Sequence, residues 1–143
     1  MKIINKKANF QYKLEADRFE AGIALSGGEV KAVRGGRGDI SQSYAKVLNG
    51  EVFLVNANLP VDGAKASPTR SRKLLLHKNE ITSIITKAKQ QKLTLIPTKL
   101  YTKGRLIKAE LALGKSKKKY EKRESIKKKD IERQIEQEFR IKL

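Results

Sequence analysis

Short runs of partly alternating apolar and polar residues recur between residues 10 and 113 of this chain. Six of these runs contain β-branched or aromatic residues, and their partial period-two alternation predicts β-strands. The predicted strands cover residues 10–14, 19–25, 44–48, 51–57, 93–101 and 105–113. The pattern therefore predicts a mainly β protein over most of its length.

Turn-forming residues connect some of these strands. Asn49-Gly50 lies between two predicted strands, and both residue types tolerate the positive φ angles of a type I′ hairpin turn. Lys103-Gly104 is a weaker indication of a second hairpin. Pro97 interrupts a predicted strand, so we expect that strand to lie at an edge, to carry a bulge or to break there.

Two segments follow a helical pattern instead. Ser26 with Glu29 three residues later is a capping-box arrangement that predicts a short helix over residues 27–33, and Gly35 follows as its stop. A longer helix is predicted over residues 78–90 because its apolar residues recur at helical spacing. These residues are Ile81, Ile84, Ile85 and Ala88.

Six short strands and two helices favour a small, closed or partly open antiparallel barrel in residues 1–114, a kind of fold that binds RNA on one strand face. A two-layer α+β sheet fits the same pattern. Residues 115–143 form a second unit, a basic tail with 12 Lys or Arg and six Asp or Glu. Its few large apolar residues are spaced by four, so we expect a segment that is disordered alone and helical when bound.

Charge limits the possible partners. The 143 residues contain 33 Lys or Arg and 15 Asp or Glu, a net charge of +18. Such an excess favours a polyanionic partner, and because basic residues run along the whole chain we favour nucleic acid over an anionic membrane. No run approaches the ~18 apolar residues of a membrane span, and residues 1–10 do not resemble a secretory signal. With no cysteine for disulfides or thiolate metal sites, we expect a cytoplasmic protein.

Candidate chemistry points to binding rather than catalysis. Arg70, Arg72 and Lys73 form a basic run that suits phosphate oxygens. His77 is the only histidine, with no carboxylate or serine partner in an evident motif, so we predict no enzyme, no metal and no cofactor. Residues 35–38 match no nucleotide-binding motif, and Arg34 and Arg37 beside them are possible phosphate contacts.

Four segments resemble the SsrA-binding protein (small protein B) family. They are FEAGIALSGGEVKAVR (19–34), SYAKVLNGEVFLVNANL (43–59), PTRSRKLLLHKNEI (68–81) and KKYEKRESIKKKD (118–130). The resemblance implies an oligonucleotide-binding (OB)-type β-barrel with helices packed around it. It also implies binding to the tRNA-like domain of transfer-messenger RNA (SsrA RNA) and delivery of that RNA to stalled ribosomes for trans-translation.

The resemblance also implies roles for individual residues. Asn5, Glu20 and Leu75 would lie on the surface that holds the tRNA-like domain. The phosphate contacts around it would come from Lys6, Lys7, Arg70, Arg72 and Lys73. The tail would become helical in the empty mRNA channel and contact rRNA at the small-subunit decoding centre. Its motif residues are Lys117, Lys118, Tyr120, Glu121, Lys122 and Arg123.

Three other functions stay open from the residues alone. A structural ribosomal protein or general RNA chaperone would carry the same barrel and tail without a dedicated RNA. A nuclease or RNA-modifying enzyme would depend on His77 or a carboxylate. Membrane binding would be a property of residues 115–143 alone. Our expectation is a monomeric, non-enzymatic RNA-binding adaptor.

Overall fold

The structure, a computed structural model, describes residues 2–61, 67–117 and 123, and these contain seven strands and three helices. The strands are β1 (Lys2–Ile4), β2 (Tyr12–Ile23), β3 (Tyr44–Leu48), β4 (Glu51–Val55), β5 (Arg72–Leu75), β6 (Thr94–Lys103) and β7 (Leu106–Ser116). The helices are α1 (Ala8–Gln11), α2 (Gly27–Arg34) and α3 (Lys78–Gln91).

Six of the strands close into a ring. Their order is β6-β3-β4-β5-β2-β7, and β7 pairs back onto β6, with every pairing antiparallel. The predicted small antiparallel barrel is confirmed, and the closed ring decides against a two-layer α+β sheet. The ring is OB-like in its size and closure, although the OB fold has five strands where this ring has six.

One edge of β6 serves two neighbours. β3 meets β6 through the single pair Ala45↔Leu95, whereas β1 pairs with residues 99–101 further along the same strand. The β3–β6 pairing therefore has the fewest paired residues of any pairing in the ring. By contrast, β2 and β7 pair from Tyr12↔Ser116 to Gly22↔Lys108, with an irregularity between Leu14 and Arg18.

Several elements differ from the sequence prediction. The two predicted strands at residues 10–14 and 19–25 overlap the single strand β2, which the irregularity interrupts, and residues 10–11 belong to α1. β1, β5 and α1 were not predicted, because three or four residues are too few to show a period. β7 continues to Ser116, so the barrel extends two residues past the expected boundary at 114.

The turn predictions hold in detail. Asn49 and Gly50 have φ angles of 51° and 75°, as a type I′ turn between β3 and β4 requires. The β6–β7 hairpin is also present, with Gly104 (φ 61°) as the first residue of its turn. Pro97 lies at a register shift between β6 and β7, so the bulge is the correct one of the three expectations.

Helix α2 begins with the predicted capping box. The backbone N–H of Glu29 donates to Oγ of Ser26 (3.3 Å), and the backbone N–H of Ser26 donates to Oε1 of Glu29 (2.8 Å). α3 packs Ile84 into the core, and the residue that caps its C-terminus, Lys92, has a left-handed φ of 53°. The predicted ends of both helices are correct to within one residue.

Alternate residues along the strands point inward and form the interior of the barrel. Val52 and Leu54 of β4 are fully buried, and so is Leu111 of β7. On β5 the inward positions are Leu74 and Arg72. An arginine therefore occupies a core position, and its charged partner Glu29 lies in the first turn of α2.

Candidate nucleic-acid interface

A buried ionic cluster of Glu29, Arg70 and Arg72 (the Glu29 cluster) joins α2 to β5. Nε of Arg72 donates to Oε2 of Glu29 at 2.5 Å, and its Nη2 forms an ion pair with the same oxygen at 2.5 Å. Nη1 donates to the carbonyl oxygens of Ala57 (2.8 Å) and Arg70 (3.0 Å), and Nη2 to that of Pro68 (2.8 Å). Four hydrogen bonds and one ion pair therefore hold this guanidinium inside the protein.

The phosphate contact expected for Arg72 is wrong. Its side chain is 0% exposed, so no phosphate oxygen can reach it. The physical reason is the strand β5: Arg72 and Leu74 share one face, and Leu74 faces the core. The inward leucine was the available signal, but the basic residues made this segment look like a loop.

Arg70 is the exposed member of the cluster. Its Nη2 donates to Oε1 of Glu29, its Nη1 donates to the carbonyl oxygen of Ser71 (3.3 Å), and 36% of its side chain remains exposed. Burial opposes ionisation of Glu29, but the hydrogen bonds from Arg70, Ser26 and Arg72 outweigh it and lower its pKa from 4.5 to about 2. Glu29 is therefore ionised at neutral pH and holds Arg70 at the surface.

Glu20 lies on the outer face of β2 in a second cluster. The hydroxyl of Tyr101 and Nζ of Lys103 (3.2 Å) both donate to its carboxylate, and these hydrogen bonds lower the pKa of Glu20. Partial burial and the same carboxylate raise the pKa of Tyr101 to about 12, so the phenol stays protonated. Lys99 Nζ lies 5.5 Å from the centre of the Tyr101 ring. Tyr101 is thus a candidate interface residue that the sequence analysis missed.

Leu75 and Lys73 share the outer face of β5. Leu75 is 55% exposed and pairs with Gly22, two residues after Glu20 on the same face of β2. Lys73 is exposed, and its Nζ lies 3.3 Å from a carboxylate oxygen of Glu51. Leu75, Gly22, Lys108 and Tyr101 form one row across β5, β2, β7 and β6. The structure therefore brings Glu20 and Leu75 to one surface, and their contact with RNA stays a prediction.

Asn5 is only 7% exposed, and its side chain is used internally. Its Nδ2 donates to the carbonyl oxygen of Pro97 (2.9 Å), and its Oδ1 accepts from the backbone N–H of Lys7 (3.2 Å). Asn5 thus fixes the start of α1 against the bulge of β6. Lys6 and Lys7 beside it are exposed. Hydrogen bonds from Ser41 lower the pKa of Asp39, and the charges of Lys7 and Lys6 add to this.

The predicted residues occupy separate parts of the surface. Ile4, next to Asn5, lies in the same row as Lys99, Glu110 and Glu20. Three strand spacings separate Ile4 from Glu20, which is about 14 Å. Arg70 lies apart, on the β4–β5 connection. The barrel therefore presents cations on several sides of the Glu20–Leu75 face.

Only the beginning of the tail is within the described residues. The backbone N–H of Lys117 donates to the carbonyl oxygen of Gln11 at 2.9 Å, which fixes the root of the tail beside β2. Arg123 is exposed. The remaining motif residues lie outside the described residues: Lys118, Tyr120, Glu121 and Lys122.

Other sequence candidates have ordinary surroundings. The backbone N–H of His77 donates to the carboxylate of Glu80 (3.3 Å) at the start of α3. Nη2 of Arg34 donates to the carbonyl oxygen of Arg105 at 3.2 Å.

Within residues 2–61 and 67–117, no three His, Asp or Glu side chains gather as metal ligands. In that same part, no helix has the length and apolar character that crossing a bilayer requires.

Known proteins resemble this chain along nearly its whole length. The SsrA-binding protein of Thermosipho africanus (strain TCF52B) is 49% identical over 142 residues, which cover 94% of this chain and 95% of that protein. The SsrA-binding protein of Geobacillus thermodenitrificans (strain NG80-2) is 46% identical over 140 residues, 95% of this chain and 90% of that protein.

A solved structure and a family model agree with these relatives. A chain in the structure described as "tmRNA-SmpB: a journey to the center of the bacterial ribosome" is 36% identical, with a TM-score of 0.70, and the match covers 87% of this chain and 94% of that one. The model of the family described as SmpB protein matches residues 2–141. The chain therefore belongs to the SmpB family of SsrA-binding proteins.

Proposed function

We propose that this protein binds the tRNA-like domain of transfer-messenger RNA and delivers it to stalled ribosomes for trans-translation. The observation that carries the proposal is the 46–49% identity to SsrA-binding proteins over at least 94% of the chain. The charge supports it, since a net charge of +18 suits a polyanionic partner.

The barrel surface supplies the RNA contacts in this proposal. Lys6, Lys7, Arg70 and Lys73 are cations with exposed side-chain surface for phosphates. In the free protein Lys103 donates a hydrogen bond to the carboxylate of Glu20. If Lys103 moves away on binding, the same carboxylate can accept a hydrogen bond from a base amino group or a 2′-hydroxyl. Asn5 contributes by positioning the Lys6-Lys7 turn, with its own side chain largely covered.

The tail supplies the ribosome contacts in this proposal. Its motif, from Lys117 to Arg123, would contact rRNA at the small-subunit decoding centre, and residues 126–139 would form a helix in the empty mRNA channel. The root of the tail is held at Gln11, so the tail starts from a fixed point on the barrel.

The protein acts in this proposal without chemistry of its own. Peptide transfer belongs to the ribosome and the charged RNA, while the barrel supplies positioning and electrostatics. It works as a monomer, without a cofactor, in the cytoplasm where translation takes place.

Selectivity for one RNA tests the proposal. We expect labelled tRNA-like domain to stay bound at near-physiological salt when bulk tRNA is added in large excess, because charge alone does not distinguish the two RNAs. Competition binding by filter retention or anisotropy measures this. Equal displacement by tRNA would mean that the +18 charge explains the affinity and that the protein binds RNA generally.

The exposed cations can be tested through salt dependence. Changing Lys6, Lys7 and Lys73 together to Gln should lower the slope of log Kd against log salt by roughly 0.7 to 0.9 for each phosphate that is no longer neutralised. Lys89→Gln is the matched control, an exposed lysine on α3 outside the proposed interface. If the triple variant kept the wild-type slope, these lysines would not contact phosphates.

A further inference from the structure

We propose that one unstacked base of the bound RNA inserts into a depression at the end of the barrel, between Leu75 and Leu106 and over Gly22. The inference rests on the proposed function, because it assigns a base-binding subsite to the same interface. Lys108 and Arg105 supply the basic groups at this subsite.

The depression lies where β2 ends, β7 begins and α2 passes close by. Its volume is about 230 Å³, and Gly22, Leu75, Val30 and Leu106 line its apolar part. Pockets for drug-sized ligands are usually larger, roughly 300 to 1,000 Å³. A single ring system is therefore an occupant of suitable size.

Two exposed leucines flank this depression. Leu75 is 55% exposed and Leu106 is 61% exposed, although both belong to strands. One exposed leucine needs no explanation, but two that line the same cavity form an apolar slot without a partner in the barrel. A planar base lying between them would shield both side chains from water.

Gly22 keeps the slot open. Leu75 and Lys108 are its two partners across the sheet, so it lies in the middle of the row. A Cβ atom here would lie 3.3 Å from Cβ of Leu75, at the floor of the depression. Its φ is not in the left-handed region, so the backbone does not require glycine. A glycine inside a strand often marks the close approach of a ligand.

The charges favour a nucleotide over an apolar peptide as the occupant. Arg105 is exposed and Lys108 is half-buried, and both line the slot next to its leucine walls. Apolar walls beside basic groups match a base joined to its phosphates. Unpaired bases in loops and bulges are the usual targets of sequence-specific RNA recognition, so the tRNA-like domain is a suitable source.

The test separates base contacts from phosphate contacts. We expect Leu106→Ala to weaken binding to the tRNA-like domain about five- to tenfold without changing the salt slope, because a base contact releases no counterion. Gly22→Ala should act in the same direction by narrowing the slot. Lys108→Gln should instead lower the slope by roughly 0.7 to 0.9.

Two variants control for exposure and for the added methyl group. Leu48→Ala removes a leucine that is 43% exposed on β3, and Gly27→Ala adds a Cβ that meets nothing within 4 Å. Both should bind like the wild type. Melting temperatures identify any variant that fails to fold. If Gly22→Ala is unstable, the RNA affinity of Leu106→Ala is sufficient to test the base subsite.

Chemical probing of the RNA gives an independent measurement. At saturating protein, one base of the tRNA-like domain should be protected by the wild type and reactive with Leu106→Ala. Unchanged affinity and protection with this variant would overturn the base subsite while leaving selective RNA binding intact. If the wild type itself failed to prefer the tRNA-like domain over tRNA, that result would contradict the proposed function rather than the base subsite alone.

Discussion

Glu29→Gln is expected to lower the free energy of unfolding by about 3–5 kcal/mol, the usual effect of breaking a buried ion pair from one side. Arg72 would keep its charge at 0% exposure but lose its charged partner. Glutamine has nearly the shape of glutamate, so the loss would come from charge rather than from packing. Urea denaturation at pH 7 measures it.

A surface glutamate provides the matched control. Glu51 forms an exposed pair with Lys73, with side chains 49% and 46% exposed, so Glu51→Gln should change stability by less than about 0.5 kcal/mol. Adding Arg72→Met to Glu29→Gln should recover part of the loss, because it removes the unpaired buried charge. A destabilisation below about 1 kcal/mol for Glu29→Gln would mean that water reaches Arg72.

The same cluster predicts a pH dependence. The pKa of Glu29 is about 2 in the folded protein and 4.5 ordinarily, so its stabilisation is complete above pH 4.5 and is lost as the pH falls towards 2. The amount is about 3 kcal/mol for a shift of this size. In Glu29→Gln this part of the acid dependence should disappear, and pH-dependent denaturation curves would show whether it does.

Removing residues 118–143 is expected to abolish tagging at stalled ribosomes while changing the affinity for the tRNA-like domain less than about fivefold. The truncation keeps all of β7 and the bond from Lys117 to Gln11, so the barrel remains complete. It lowers the net charge only from +18 to +14. A reconstituted tagging assay and a binding titration measure the two effects separately.

A tail of the same composition in permuted order is the control for charge. It should bind RNA like the wild type and still fail to support tagging, since only Lys117 of the motif from Lys117 to Arg123 would keep its position. If the permuted tail supported tagging, the tail would act through charge alone. A large loss of RNA affinity on truncation would place RNA contacts in the tail.

Local signals predicted much of the barrel. The turn at Asn49-Gly50 and the capping box of Ser26 and Glu29 depend on neighbours in sequence, and both are present. The burial of Arg72 was missed because β5 has four residues, two of them basic. Its partner Glu29 is 43 residues away, and no local pattern connects them.

The candidate interface shows the same limit. Glu20 meets Tyr101 and Lys103 across more than 80 positions of the chain, so composition cannot reveal their contact. The pairing of β2 with β7 brings β6 beside Glu20, and this register is a property of the closed barrel. The resemblance identified Glu20 and Leu75, whereas only the fold shows that Gly22 lies between Leu75 and Lys108.

The long pairing between β2 and β7 also governs how the protein is made. Tyr12 pairs with Ser116, about a hundred residues later, so the ring cannot close until nearly the whole barrel has left the translating ribosome. Until then one edge of β2 has no strand beside it, and such high contact order slows folding. A copy of this protein whose own synthesis stopped before β7 could not close the ring, and it would itself need the rescue pathway in which we propose that the protein acts.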